Sequence, residues 1–216
     1  MARPPVTEGW QSDAPSPDEF TDDSSPSYVD AATVALRFAS TAVDATSAQP
    51  SRLTEAVTPR SLRDAMGCLA TGVCVITTFS DDNDVAMTAN SVTSVSLDPP
   101  LVLVCIAKTA RFHEAIVTSG RWGVSILDAG SHELSTQFAT PGRDSAGQLA
   151  EVRFDRGPET GVALLSSSVA QLECLTTAVH PAGDHDIVIG HVQSLAQVGP
   201  GKHPLLFHRG RYRWLL

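Results

Sequence analysis

The stretch Met87–Cys105, MTANSVTSVSLDPPLVLVC, decides how the chain is read. Its first half carries small hydroxyl and amide side chains: Thr88, Asn90, Ser91, Thr93, Ser94 and Ser96. The whole stretch has no His, Glu or Lys, and its only acid is Asp98 in the turn Asp98-Pro99-Pro100. After that turn Leu101 to Cys105 is purely apolar. Runs of this kind on either side of a Pro-rich turn are strands. One strand is expected over 85–97 and another over 100–107. Neutral donors and acceptors beside a buried strand fit the solvated face of an edge strand. They also fit a site whose ligand needs hydrogen bonds but no proton transfer from the protein.

Working outward, Thr58 can N-cap a helix with Pro59 at its first position, with Ser61 and Asp64 as a weaker cap. Leu62, Met66 and Leu69 form its apolar stripe, and Gly72 is expected to end it. GVCVITTF is a β-branched strand, followed by the acidic turn Ser80 to Asp84. Beyond the opening stretch come a short helix (RFHEAIVTSG), a strand (RWGVSIL) and a helix (SHELSTQFAT). A long loop follows over 141–161, with room for one helical turn. The last three strands are SSVAQLECLTTAVHP, DIVIGHVQSLAQV and PLLFHRGRYRWLL. The first three strands and the last three each run consecutively with turn-length gaps. That excludes a regularly alternating α/β sheet and implies a mainly β, antiparallel barrel or sandwich with inserted helices.

The chain has 216 residues and a net charge of −9, which argues against a nucleic-acid partner. Residues 1–58 carry nine acids and three bases, a net of −6, so 59–216 carry the remaining −3. Residues 1–57 form an acidic, Pro- and Ser-rich N-terminal extension, with disorder expected over 1–27. A helix is possible at 28–48, where Ala32, Leu36, Ala39 and Val43 share a face. The second region, 58–216, is the domain proper. Cys68, Cys74, Cys105 and Cys174 lack the close spacing of a zinc or redox pair. They read as reduced thiols of a cytoplasmic protein. No apolar leader opens the chain and no apolar run is long enough to span a bilayer, so no membrane partner is expected.

Five segments, LATGVCVITT, TANSVTSVSLDPPLVLVCI, WGVSILDAGSHELSTQFA, LECLTTAVHPAGDHDIVIGHV and PLLFHRGRYRWL, together resemble the short-chain flavin reductases. These are the reductase components of two-component flavin-dependent monooxygenases, and the resemblance covers about 60–216. It implies a Greek-key-like FMN-binding split β-barrel that forms a homodimer. It also implies FMN, or FAD, as the flavin and NADH or NADPH as the hydride donor. Reduced flavin would pass by diffusion to a partner monooxygenase. Such chemistry needs no acid–base dyad, because the flavin itself accepts the hydride. By this resemblance Thr88, Ala89, Asn90, Ser91, Thr93 and Ser94 line the flavin. Lys108, Thr109, Ala110, Arg111 and Phe112 follow the apolar strand at a helix head and would serve the phosphate side, although the two cations also fit a solvated surface. Phe112 would pack on the flavin or anchor the helix.

In Gly183-Asp184-His185 the resemblance assigns His185 to dinucleotide binding and positioning, the one residue placed at the hydride-transfer step. Asp184 and Asp186 on either side would favour its charged form. His208 and Tyr212 are further candidates for the same pocket, or the polar face of an edge strand. Ala86 stands where the family commonly has Gly, which would tighten a turn beside the flavin. No dinucleotide-binding Gly motif, P-loop, nucleophile elbow or metal-ligand spacing is present, so no metal is expected. Two other readings stay open: a flavin-binding sensor or carrier without turnover, and a split-barrel flavoenzyme acting on its own substrate.

Overall fold

The computed structural model describes residues 56–81, 83–140, 142, 147–199 and 201–215. The expectations for 1–27 and for a helix at 28–48 lie outside the described residues. Helix α1 (Pro59–Met66) begins as its sequence dictates. Thr58 Oγ1 accepts from the Ser61 N–H at 3.1 Å, and Ser61 Oγ accepts from the Thr58 N–H at 2.9 Å. This reciprocal box satisfies two of the orphan donors at the helix start. The helix ends at Gly67, earlier than expected, and Gly72 lies in the short strand β1 (Thr71–Gly72). Its apolar stripe faces outward: Leu62, Met66 and Leu69 are each more than half exposed.

Seven strands form one sheet in the order β3 (Asn83–Ala89), β2 (Cys74–Ser80), β6 (Arg121–Leu127), β9 (Ser168–Ala182), β10 (His185–Gln197), β5 (Pro100–Ala107), β4 (Thr93–Leu97). Every neighbouring pair is antiparallel. One apolar cluster draws Val85 and Ala89 from one edge and Val104 and Ile106 from beside the other, with Ile76, Trp122, Val124, Cys174 and Val188 between them. A sheet whose two ends share a core has curled on itself, as in a barrel. Helix α2 (Arg111–Ser119) plugs that core with Phe112, Ala115 and Ile116, and stops at Gly120 in the left-handed conformation (φ 63°) that glycine permits. Trp122 fills the remaining space against Gly190, where an added Cβ would lie 2.5 Å from the indole.

A second cluster covers the opposite face of β2, with Val75, Ala86, Leu127 and Leu205 packed on Phe138 of helix α3 (His132–Ala139). Strand β2 is therefore buried on both faces, which is why its sequence is a continuous β-branched run. Glu173 in β9 is fully buried. Its carboxylate accepts from the Thr160 N–H (2.7 Å) and hydroxyl (2.7 Å), the Glu159 N–H (3.1 Å) and the Ser194 hydroxyl (3.0 Å). Burial pushes this carboxyl upward, and these donors outweigh it, leaving it below the ordinary glutamate range.

Three expectations need correction. The single strand expected over 85–97 is two, because the ladder breaks at Asn90–Val92. There the Ser91 hydroxyl takes over, accepting from the Cys105 N–H (3.3 Å) and donating to the Cys105 carbonyl (3.1 Å). The long loop over 141–161 contains β7 (Phe154–Arg156), which pairs with β8 (Ala163–Leu165). The last segment is a hairpin rather than one strand: β11 (Leu206–His208) and β12 (Arg211–Arg213) turn at Arg209 and Gly210, both with positive φ. Strand β11 also pairs with β1.

Candidate active site

A cavity of about 420 Å³ opens where β3, the β5–α2 turn and the end of α3 meet. Val85, Ala86 and Met87 form one wall, Phe112 and Phe138 add aromatic surface, and Thr109, Ala110, Arg111 and Thr140 supply polar groups and backbone. The α2 head contributes because its N-cap is Ala110, which has no side-chain acceptor for the first amides. A helix head without a side-chain cap, carrying an Arg and a Thr, offers N–H donors and positive charge to an anion. The facing walls are apolar and suit a flat ring. This donor set and volume fit a flavin with its phosphate at Arg111.

The sequence-predicted residues divide among several places. Thr109, Ala110, Arg111 and Phe112 line this cavity together. Lys108, next to them in sequence, turns away: its Nζ donates to the Gly183 carbonyl (2.8 Å) and lies 3.4 Å from Asp186 Oδ1. Thr88 donates to the Ser135 carbonyl at 2.7 Å, and Ala89 is buried in the barrel core. Asn90, Ser91, Thr93 and Ser94 line a separate, largely apolar groove of about 970 Å³ with Met66, Leu69, Val102, Ile126, Leu172 and Phe207. His208 and Tyr212 sit on the three-stranded sheet β1-β11-β12 and line neither cavity. The Tyr212 hydroxyl instead meets Ser135 Oγ at 3.0 Å.

His185 lines neither cavity; it opens β10 and pairs across the ladder with Ala107, a cavity-wall residue. Its Nδ1 is 2.8 Å from Asp184 Oδ1, and this hydrogen bond holds the Asp184 carboxyl below the usual range. Asp186 does not join it. Successive strand residues point to opposite faces, and Asp186 bonds His113 Nε2 at 2.7 Å instead. Ala86 is mid-strand and buried, so no turn lies there to be tightened. The sequence reading did not name Ser80, Val85, Met87, Phe138, Thr140 or Gln148 as cavity residues. Phe138 was detectable as the buried aromatic of an otherwise polar helix. Gln148, whose Oε1 accepts from the Ala86 N–H at 3.0 Å, left no sequence signal. Among the described residues no His, Cys, Asp and Glu group could hold a metal, and no helix is long and apolar enough to cross a membrane.

An antiparallel split barrel with inserted helices and a cavity at one helix head is the architecture of the flavin reductases. The flavin reductase-like domain matches residues 66–216. The chain is 38% identical over 157 residues to the reductase subunit HsaB of a flavin-dependent monooxygenase from Mycobacterium tuberculosis, covering 72% of this chain and 82% of that one. It is 41% identical over 162 residues to an NADH-dependent flavin reductase from Rhodococcus, covering 74% and 88%. Among solved structures, the Streptomyces globisporus NADH:FAD oxidoreductase SgcE6 in complex with NAD and FAD fragments superposes with a TM-score of 0.69 at 37% identity, covering 75% of this chain and 97% of that one. BorF, the flavin reductase component of a bacterial two-component tryptophan halogenase, gives 0.68 at 37% identity, over 72% and 97%. The chain belongs to the flavin reductase-like family.

Proposed function

We propose that this protein is an NAD(P)H-dependent flavin reductase that releases reduced FMN or FAD to a separate monooxygenase. The observation that carries the reading is the cavity at the α2 head, with Arg111 and Thr109 at one end and apolar walls along its length. Arg111 and the amides of the α2 head bind the phosphate, while Met87, Phe112 and Phe138 hold the ring and exclude water. When bound, the flavin supplies the hydride-accepting centre. His185 orients the nicotinamide and moves no proton. The chain's own task is thus binding and orientation, which explains a site without an acid–base pair.

The exposed apolar stripe of α1 and the groove beside it suit a second copy of the chain, and we include a homodimer in the proposal. A cytoplasmic setting accords with four free cysteines.

The test is steady-state oxidation of NADH and of NADPH by the purified full chain with FMN, FAD or no added flavin. Turnover that depends on added flavin is the expected result. A yellow protein that binds FMN tightly but does not oxidise either nucleotide would replace the reductase with a sensor or carrier.

A further inference from the structure

We infer that Asp186 is a positioning residue, clamping the β9–β10 turn to the head of α2 and thereby setting where His185 stands relative to the cavity. The inference rests on the assignment of His185 to the nicotinamide. Asp186 is buried, and its two oxygens face two different side chains, the His113 imidazole and the Lys108 ammonium. Oδ2 lies 2.7 Å from His113 Nε2, in the first turn of α2, and Oδ1 lies 3.4 Å from Lys108 Nζ. Lys108 continues the link, donating from Nζ to the Gly183 carbonyl (2.8 Å) and from its backbone N–H to the Asp184 carbonyl (3.0 Å). One carboxylate therefore joins a helix head, the end of β5 and the turn that carries His185.

The two ends of this clamp are unequally anchored. Helix α2 is rooted in the barrel core by Phe112, Ala115 and Ile116. The turn is held less firmly: residues 180–184 are all exposed, and backbone pairing of Ala182 and His185 in the β9–β10 ladder is what flanks it. Loss of the clamp should therefore loosen the turn and leave the helix, with its phosphate-side residues, in place. A carboxylate that only satisfied its two neighbours would change stability without separating nicotinamide binding from flavin binding.

The test uses Asp186→Asn and, from the opposite side of the pair, His113→Gln, both in the full chain. The Michaelis constant for the preferred nicotinamide nucleotide should rise about threefold to tenfold. Turnover at saturation, and the flavin dissociation constant from fluorescence titration, should stay within about twofold. Combined with His185→Ala, Asp186→Asn should add nothing, because it acts through that side chain. Amide hydrogen exchange should accelerate at 182–185 in both variants and remain slow at 115–116.

An unchanged nucleotide constant with unchanged turn exchange would overturn the inference. So would equal losses of flavin and nucleotide affinity, or additivity with His185→Ala. If the unaltered protein oxidises neither nucleotide, the reductase reading fails separately. Exchange then decides the clamp alone: faster exchange at 182–185 upholds it, and unchanged exchange rejects it.

Discussion

Glu173 and Asp186 are two buried carboxylates on neighbouring strands, and they are held in opposite ways. Glu173 sits among neutral donors: two backbone N–H groups and two hydroxyls converge on it. Asp186 faces an imidazole and an ammonium, and the second contact is long. Both carboxyls are held below their ordinary values. For Glu173 the donors outweigh a strong upward push from burial; for Asp186 the His113 hydrogen bond leads, helped by the Lys108 charge. Directional neutral donors fix a loop to the sheet, so Glu173 is part of the scaffold. Side chains from separate elements make a joint, and Asp186 follows His185, whose ladder partner Ala107 lines the cavity. Burial alone does not distinguish a structural carboxylate from a functional one; its partners do.

The largest expected effect is on the scaffold side. Glu173→Ala leaves four donors facing a dry pocket, at a cost of about 3 kcal/mol. The melting temperature should fall by roughly 6–12 °C for a domain of this size, as read by calorimetry. Asp186→Asn keeps a carbonyl toward His113 and should cost clearly less. Equal losses would erase the distinction between anchor and joint. Next in size is Gly157→Ala, whose new Cβ would lie 2.2 Å from the Glu173 carboxylate. We expect a loss of about 2 kcal/mol in chemical denaturation, and a neutral result would mean the carboxylate can move off its donors.

The acid limb sharpens the comparison further. Glu173, Asp186 and Asp128 all have folded values lowered from 4.5, 3.8 and 3.8. A lowered carboxyl stabilises the fold fully above its unfolded value, and that stability is lost as pH falls through the folded value. Stability should therefore be flat above about pH 5 and decline below it. Glu173→Gln and Asp186→Asn should each flatten that decline, in denaturant titrations across the acid range. The smallest effect is chemical. Burial lifts the thiols of Cys74 and Cys174 to about 12, whereas Cys68 is exposed. A thiol reagent at neutral pH should modify Cys68 in the native protein and reach the other two only after denaturation.

Much of this architecture was legible in the residues. The Thr58-Pro59 start, the Gly120 stop and the bounds of β5 follow from capping, left-handed glycine and an apolar run between turns. The extents of β9 and β10 followed as closely. What escaped depended on contacts distant in sequence. The break after Ala89 exists because Ser91 bonds Cys105, and nothing local announces it. Lys108 and Arg111 looked like one basic cluster, yet one meets Gly183 and Asp186 while the other lines the cavity. Periodicity marked Leu62, Met66 and Leu69 as an apolar stripe, and among the described residues they stay more than half exposed.

The notch that Gly190 opens for Trp122 makes the barrel optically legible. The Trp122 indole is fully buried, and among the described residues its Nε1–H meets no acceptor. An indole in such surroundings emits at the short-wavelength end of tryptophan fluorescence and is shielded from aqueous quenchers. Trp214, 62% exposed at the chain's far end, emits at longer wavelength and is open to them. In a variant with Trp10 replaced by Phe, collisional quenching thus separates a signal from the barrel interior from one at the surface, and the blue component follows the opening of the core around α2.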